Sequence, residues 1–166
     1  MGFINRTYKK VKQFIFGSRV RRKCASCGSN LKVNYPSNVG SHTVLGNNVN
    51  FNGMNISGGK CTIGNNFHSG RHCQIINQNH NYEGEYIPYD GTMIYKEAVI
   101  DDNVWLGNNV IILGNVHIGE GAIIQAGAVV VTDIPKCAIA GGNPAKVFKY
   151  RDEEHYEKLK REGKFW

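Results

Sequence analysis

The sequence lacks a long apolar run and has little charge for its length. No stretch approaches the ~20 apolar residues of a membrane-spanning helix. Only 20% of its 166 residues are charged, while 41% are hydrophobic. A wholly disordered chain is usually richer in charge and poorer in apolar residues. We therefore expect one globular domain, long enough to bury a core.

The sequence also lacks the marks of a secreted, disulfide-bonded protein. Its first residues have no apolar centre followed by a small-residue cleavage site. The odd number of cysteines, five, favours a reducing cytosol, so we expect a cytoplasmic protein. Cys24 and Cys27 have the spacing of half a zinc knuckle, but no second pair follows. We interpret them as structural or incidental thiols.

Positive charge is concentrated at one end of the chain. The net charge is +7, yet residues 1–23 alone carry +8 and no acid, which leaves −1 for the remainder. A basic tail of this kind does not indicate a nucleic-acid-binding surface, and no nucleic-acid partner is expected. The basic residues are Arg6, Lys9, Lys10, Lys12, Arg19, Arg21, Arg22 and Lys23.

The same segment has the spacing of an amphipathic helix over residues 3–16. Its apolar positions are Phe3, Tyr8, Val11 and Ile15. Two interpretations stay open. The helix docks on the open end of the domain and exposes its charges, or residues 3–23 make a peripheral contact with the inner face of a membrane.

A six-residue repeat dominates the rest of the sequence. Counted in sixes from Val39 and again from Ile100, eleven of 13 positions are apolar and seven are followed by glycine. This period fits neither a helix nor a hairpin sheet. It is typical of a short strand, a turn and a repeat, with about 18 residues in each triangular coil. The sequence thus predicts an all-β parallel β-helix of about five coils, whose corner glycines relieve crowding and permit positive φ.

One of the predicted coils is too long. The coils fall at 39–56, 57–74, 75–99, 100–117 and 118–135. The third holds seven residues more than 18, and a surplus in a solenoid projects as a loop. The loop at about 77–98 is polar and aromatic, which suits a binding loop and singles out His80. Cys61 and Cys73 fall on inward positions and are predicted to be core.

The predicted organisation has three parts. A basic amphipathic N-terminal segment covers 1–35, the β-helix with its loop covers 36–149, and a C-terminal helix covers 150–166, with its helical pattern over 150–162.

Two stretches resemble a known family. Residues 104–135 read VWLGNNVIILGNVHIGEGAIIQAGAVVVTDIP, and residues 140–146 read AGGNPAK. Over about 36–151 the chain resembles the hexapeptide-repeat acetyltransferases. The run INQNHNYEG at 76–84 resembles, within that family, the O-acetyltransferases of capsule, O-antigen and exopolysaccharide clusters. The resemblance implies a left-handed β-helix, a homotrimer with sites between subunits, acetyl-CoA as cosubstrate, and a sugar or saccharide acceptor in polysaccharide biosynthesis.

The resemblance also implies a role for His80 as the catalytic base. An alcohol is a poor nucleophile, so a neutral imidazole removes its proton as it attacks the thioester. Glu85 is a further candidate to orient His80 or bind acceptor. Each candidate other than His80 also fits an ordinary corner or surface role. The candidate substrate-binding residues are Asn52, His68, Tyr82 and Glu83.

For the coenzyme, the resemblance implies a backbone amide at Ala126 for the pantetheine arm and basic residues near the phosphates. The family's Thr-Lys-Asp is Val131-Thr132-Asp133 here, which puts one expected phosphate contact in doubt. The matching positions are Trp105, Asn108, Ala126, Gly142, Lys146 and Lys149.

Three other functions stay open. An amine acceptor, in an amino sugar or antibiotic, would make the chain an N-acetyltransferase. A metal enzyme resembling γ-class carbonic anhydrases would need three histidines around zinc between subunits. Its candidates are His68, His72, His80 and His117. A non-enzymatic β-helix scaffold would have no reason to keep an insertion with a histidine. The Trp105 motif and the AGGNPAK run favour a coenzyme user without a metal.

Overall fold

The computed structural model describes residues 2–166, with side chains from residue 7 onward. Short strands, numbered in chain order, form three parallel sheets. The first sheet contains β1 (Ser26–Cys27), β3 (Thr43–Leu45), β6 (Lys60–Ile63), β10 (Glu97–Ile100) and β13 (Val116–Ile118). The second contains β2 (Lys32–Tyr35), β4 (Asn50–Asn52), β7 (His68–Arg71), β11 (Trp105–Leu106), β14 (Ile123–Ile124) and β16 (Ala138–Gly141). The third contains β5 (Asn55–Gly58), β8 (Gln74–His80), β12 (Ile111–Leu113) and β15 (Val129–Val130).

These sheets are the three sides of a left-handed-type β-solenoid, as predicted. Two strands depart from the parallel pattern. β9 (Met93–Tyr95) pairs antiparallel with β8, and β17 (Lys146–Tyr150) pairs antiparallel with β16. The helices are α1 (Gly2–Lys23) and α2 (Glu153–Arg161).

The interior is a stack of apolar side chains. Residues one coil apart lie in register, so each inward residue packs on its counterparts above and below. A fully buried side chain of this size contributes about 1.5–3 kcal/mol of transfer free energy. In the first sheet this stack is Leu45, Ile63, Ile100 and Ile118. Cys61 and Cys73 are fully buried, as the repeat predicted.

The insertion is larger than predicted. Neighbouring coils are usually offset by 18 residues, but Lys60 pairs with Glu97 at an offset of 37, so the insertion holds 19 residues rather than seven. The sequence predicted that a coil begins at Ile75. In the structure Ile75 lies on the third side of a coil, and Ile100 lies on the first side of the next.

The solenoid also begins earlier than the predicted boundary at 36. β1 pairs in parallel with β3, placing Cys27 opposite Leu45, and β2 pairs with β4. The first two sides of one coil thus lie within the segment 1–35, and its third side follows at Asn38, which pairs in parallel with Asn55. In the described chain the first sheet has five strands and the second has six parallel strands, so five coils are followed by part of a sixth.

The corner glycines permit a close approach between coils. A Cβ on Gly46 would lie 2.7 Å from the carbonyl carbon of Gly64, one coil further on. The corner glycines were also predicted to permit positive φ, but at this corner the residues with positive φ are asparagines and not Gly46 or Gly64. Asn48, Asn66 and Asn103 have φ of 57°, 54° and 63°, a region that asparagine tolerates better than most residues.

The same asparagines form a hydrogen-bonded ladder along one edge. The Asn48 amide donates to Asn66 Oδ1 at 2.9 Å, and the Asn66 amide donates to Asn103 Oδ1 at 2.8 Å. The ladder begins at Asn30 and ends at Glu120. Each such bond contributes about 1 kcal/mol, so the ladder helps to hold the coils in register.

Helix α1 extends beyond the predicted 3–16 and docks on the first coil. Val20 is buried, and Phe16 packs half-buried against the core. The structure thus shows the docked arrangement for the second half of α1. The predicted apolar position Phe3 lies outside the described side chains. Within residues 2–166, no helix is long and apolar enough to cross a bilayer.

Helix α2 closes the other end and lies inside the predicted 150–162. Asp152 caps it, because its carboxylate accepts a hydrogen bond from His155 N at 2.9 Å. The buried Tyr156 donates its hydroxyl to Glu120 Oε1 at 2.9 Å, and Lys160 Nζ lies 2.7 Å from the same oxygen. Burial raises the pKa of Glu120, but the hydrogen bonds from Lys160 and Tyr156 outweigh it and hold that pKa below its ordinary value.

Candidate active site

The insertion is a projecting β-hairpin. Strand β8 continues past the corner of the solenoid instead of turning, and pairs with β9 so that His80 lies opposite Met93. The hairpin leaves through a narrow neck, where Lys96 N donates to Asn77 O at 2.9 Å. A Cβ on Gly59 would lie 2.0 Å from the Lys96 carbonyl oxygen, so only glycine allows the neck to close.

His80 lies at the end of the hairpin stem and is exposed. Its ring stacks on that of Tyr89, with centroids 3.9 Å apart and planes 13° from parallel. In the described part of the chain, neither Glu83 nor Glu85 makes an ion pair with it. Tyr82 is exposed beside it in the loop. The exposed imidazole, held against one aromatic face, is accessible to a bound molecule.

Asp90 organises the loop that carries Tyr89. Its carboxylate accepts hydrogen bonds from Thr92 N at 2.8 Å, from the Thr92 hydroxyl, and from Glu85 N at 3.3 Å. The hydrogen bonds from Thr92 hold the pKa of Asp90 below its ordinary value. Asn81 N donates to Thr92 O and Asn81 O accepts from Asp90 N, so backbone bonds join the two arms of the loop. Sequence reasoning missed Tyr89 and Asp90, whose signal was an Asp two residues before Thr in a Gly-bounded turn.

A second group of candidates lies on the outer face of the second sheet. His68 and Trp105 are neighbours across β7 and β11. They line a cavity of about 380 Å³ together with aromatic and basic side chains of the C-terminal region, including Tyr156, Lys160 and Trp166. Burial lowers the pKa of His68, and a hydrogen bond with the backbone of Trp166 opposes that shift only in part. Burial therefore favours the neutral form of His68 relative to a fully solvated histidine.

Asn52 is engaged within its own chain. Its side-chain amide donates to Ser69 O at 2.6 Å and accepts from Asn34 Nδ2 at 2.8 Å. These bonds fit the corner role that the repeat also allowed for this residue.

The corner between the second and third sheets presents backbone donors. Asn108 Oδ1 accepts from Arg71 N at 2.8 Å, so this side chain caps the coil before it. Ala126 occupies the same place one coil later, and its methyl group cannot accept a hydrogen bond from Asn108 N. Ala126 is itself exposed. Among the described residues, the N–H groups of Asn108 and Ala126 therefore remain available to a ligand.

The remaining coenzyme candidates follow this corner towards the C-terminus. Gly142 lies in the turn after β16 with φ of 94°, and its carbonyl accepts from Val129 N at 2.9 Å. Lys146 and Lys149 lie on β17, and both are exposed. The two available amides and the two exposed lysines are chemical groups suited to an extended anionic ligand.

The structure brings these candidates together in two groups. His80, Tyr82 and Glu83 belong to the hairpin, while the others lie on the second sheet or beyond it. Strand β8 alone spans roughly 20 Å at ~3.3 Å per residue. One chain therefore keeps His80 far from the corner at Ala126.

The four histidines considered for zinc also lie apart. His68 is on the second sheet, His72 at the next corner and His80 on the hairpin, while His117 on the first sheet pairs with Asp101 at 2.9 Å. Within residues 2–166, no three potential metal ligands form a cluster.

Comparison with known proteins finds consistent similarity. Residues 97–132 match the family model "Bacterial transferase hexapeptide (six repeats)". A candidate acetyltransferase of Saccharomyces cerevisiae is 34% identical over 134 residues, covering 78% of this chain and 68% of that protein. A 2,3,4,5-tetrahydropyridine-2,6-dicarboxylate N-acetyltransferase of Staphylococcus aureus is 46% identical, but over only 56 residues, or 34% of this chain and 23% of that protein.

The fold has a solved counterpart. The structure of a galactoside acetyltransferase in complex with coenzyme A superposes with a TM-score of 0.74 and 27% identity, covering 90% of this chain and 82% of that one. The structural similarity therefore extends over most of the chain.

Proposed function

The chain belongs to the hexapeptide-repeat acetyltransferases, and on that premise we propose that it transfers acetyl from acetyl-CoA to a sugar hydroxyl. His80 acts as the general base. The observation that carries the proposal is the exposed His80 imidazole, stacked on Tyr89 at the end of a projecting hairpin. The galactoside acetyltransferase, solved with coenzyme A, supports both the donor and the acceptor class.

The proposed reaction uses His80 twice. Its neutral imidazole accepts the proton of the acceptor hydroxyl while the oxygen attacks the acetyl thioester carbon. The resulting oxyanion needs a hydrogen-bond donor, for which backbone amides are suited. The intermediate then expels the coenzyme A sulfur, which recovers the proton from the imidazolium. The products are an acetyl ester and free coenzyme A.

The coenzyme is proposed to lie along the corner between the second and third sheets. The available amides of Asn108 and Ala126 would bond the pantetheine arm, and Trp105 would wall it. Gly142 keeps the path beyond this corner open. Lys146 and Lys149 would meet the phosphates. Thr132 stands where the family has a lysine. Lys146 and Lys149 would therefore carry more of the recognition of the phosphates.

The proposed assembly is a homotrimer. His80 and the coenzyme corner are separated by the length of β8, so a neighbouring chain is the natural source of one of them. On this proposal the hairpin of one subunit, with Tyr82 and Glu83, faces the second sheet of the next. His68 and Asn52 then line the acceptor side of the shared cleft.

The acceptor is proposed to be a hydroxyl in surface-polysaccharide biosynthesis in the cytoplasm. The hairpin motif at 76–84 supports that class. The alternative is an amine, which the Staphylococcus aureus N-acetyltransferase favours through its 46% identity. That similarity is confined to 56 residues, whereas the galactoside enzyme matches 90% of this chain. We therefore prefer the hydroxyl.

The test is a screen of sugars, nucleotide sugars and amino sugars for acetyl-CoA-dependent release of free coenzyme A. With the best acceptor, His80→Ala should lower kcat at least about 100-fold, the scale of a lost general base. Coenzyme A binding, measured by calorimetry, should change little. His155→Ala, an exposed histidine on α2, is the matched control and should keep full activity. Near-normal turnover by His80→Ala would refute the assignment.

Two further measurements separate the finer claims. Alkaline hydroxylamine releases acetyl from an ester but not from an amide, so resistance of the product would favour the N-acetyltransferase. For assembly, light scattering should report three chain masses. His80→Ala chains mixed with Ala126→Trp chains should recover activity if each site uses two subunits. A fully active monomer would contradict the shared site.

A further inference from the structure

Helix α1 has two faces that differ in their partners. One face docks on the first coil through Gln13, Phe16, Gly17 and Val20, which recur at helical spacing. Gln13 Nε2 donates to Asn34 Oδ1 at 2.6 Å, and Val20 is 1% exposed. These contacts fix the orientation of the helix about its own axis.

The opposite face carries an apolar stripe that no described residue covers. Tyr8 is 59% exposed, Val11 50%, Phe14 75% and Ile15 42%. These positions lie three or four residues apart and point away from the solenoid. A scattered exposed apolar residue is ordinary, but a contiguous stripe indicates a binding surface.

Basic residues flank this stripe on both sides. At 100° per residue, Lys12 and Arg19 fall on one side of it and Lys10 on the other. Lys12 Nζ lies 4.2 Å from the centroid of the Tyr8 ring, alongside the stripe. By contrast Arg21 bonds Gly28 O and belongs to the docked side. Residues 1–23 contain no acidic side chain that could offset the charge.

We propose that the stripe Tyr8, Val11, Phe14 and Ile15 binds the surface of an anionic lipid bilayer. The helix would lie in the plane of the interface, with its apolar side chains inserted shallowly and its flanking cations at the headgroups. The docked face points away from the bilayer, so the solenoid stays in water.

The charge of α1 selects this occupant over a second copy of the chain. Pairing two such helices along their stripes would bring together two segments of +8 each. That repulsion opposes association, whereas the same charge is attracted to anionic headgroups. The inference does not depend on the proposed acetyl transfer, because binding is measured without substrate.

The test is sedimentation of the full chain with vesicles of phosphatidylcholine alone or with 30% phosphatidylserine, at low and high salt. We expect binding to the anionic vesicles only, weakened by salt because exposed charges are screened. Phe14→Glu with Ile15→Glu should lower the partition coefficient at least about tenfold, since it replaces buried apolar area with like charge. Phe14→Leu with Ile15→Leu should keep binding.

A second pair of double variants tests the contribution of charge. Lys10→Glu with Lys12→Glu should also lower binding about tenfold or more. Lys158→Glu with Arg161→Glu changes the net charge by the same amount on exposed positions of α2 and should leave binding nearly unchanged. Equal losses in both pairs would reduce the effect to net charge and overturn the proposal. So would absence of binding to anionic vesicles, or a change of oligomeric mass in the Phe14→Glu, Ile15→Glu variant.

Discussion

The coils and the hairpin use opposite means of holding their side chains. In a coil, each inward residue lies in register with its copies and each corner asparagine bonds the next, so every contact is repeated. The hairpin has no copy to stack on. It depends on a two-stranded stem, the carboxylate of Asp90 and the stacked rings of His80 and Tyr89. The difference separates the residues that maintain the fold from those available for chemistry.

This division predicts that mutations will affect stability or turnover, but rarely both. A side chain inside the coils should alter the free energy of unfolding and leave the hairpin intact. A hairpin side chain should alter turnover at unchanged stability. Variants in the coil interior, the corner ladder, the hairpin and the end cap test that separation.

The largest effect is expected in the coil interior. Phe67 is fully buried, with its ring 6.0 Å from that of Phe51 in an edge-on arrangement. Phe67→Ala should lower the free energy of unfolding by about 3–5 kcal/mol, because it leaves a cavity between coils. Denaturant unfolding at fixed protein concentration measures this, and Phe67→Leu should lose clearly less. An unchanged midpoint would mean that the coils relax around a void.

A smaller effect is expected at the corner ladder. Asn66→Ala removes bonds to Asn48 and Asn103 and places alanine at φ of 54°. The combined loss should be about 2 kcal/mol from the hydrogen bonds and the backbone strain. Asn66→Gly removes the bonds without the strain, but glycine also gives the unfolded chain more backbone freedom. The loss in Asn66→Ala minus the loss in Asn66→Gly is therefore a lower bound on the strain. A larger loss in Asn66→Gly would mean that the strain is smaller than this entropy cost.

In the hairpin, we expect a variant to change turnover and not stability. Tyr89→Ala should lower kcat about tenfold, because the imidazole of His80 loses the ring that fixes its orientation. Tyr89→Phe keeps the stacking surface and should keep most of kcat. Thermal stability should be unchanged in both. A rise in KM alone, with kcat intact, would instead make Tyr89 a residue that binds acceptor.

The smallest effect is expected at the end cap formed by α2. Lys160→Met removes the ion pair with Glu120, which contributes about 0.5–1 kcal/mol at this partly exposed site. The pKa of Glu120 lies below its ordinary value, so its stabilisation is present above the ordinary glutamate pKa and is lost as pH falls through the lowered one. The stability gap between wild type and variant should therefore be widest near neutrality and close in acid. A gap that persists at pH 2 would indicate lost packing instead.

The solenoid could be predicted from the sequence because each side of a coil takes six residues, so the inward apolar residues recur with a period of six. The prediction missed the first coil because the count in sixes began at Val39, whereas Cys27 and Val33 occupy the same register one coil before Leu45 and Phe51. Cys27 is half-buried and packs against the core as a small apolar residue, which only its pairing opposite Leu45 reveals.

The candidate site was less predictable. His80 could be found because an insertion breaks the period of six. The length of that insertion could not be predicted, because β8 stays extended beyond the corner and the sequence does not mark where the coil stops. The contact between His80 and Tyr89 depends on how the loop folds back, and no local spacing encodes that. The separation of His80 from Ala126 likewise follows from which side of the coil each occupies.

The neck at Gly59, Asn77 and Lys96 has a consequence for how such proteins diversify. Because Lys96 N donates to Asn77 O, the chain returns to the point at which it left the coil. Removing the 19 residues 78–96 and joining Asn77 to Glu97 would restore the ordinary offset of 18 between neighbouring coils. The hairpin is thus an insertion that the solenoid does not need in order to fold. Hairpins of other lengths and compositions can be exchanged at the same two ends, and a new acceptor preference can arise without redesign of the solenoid.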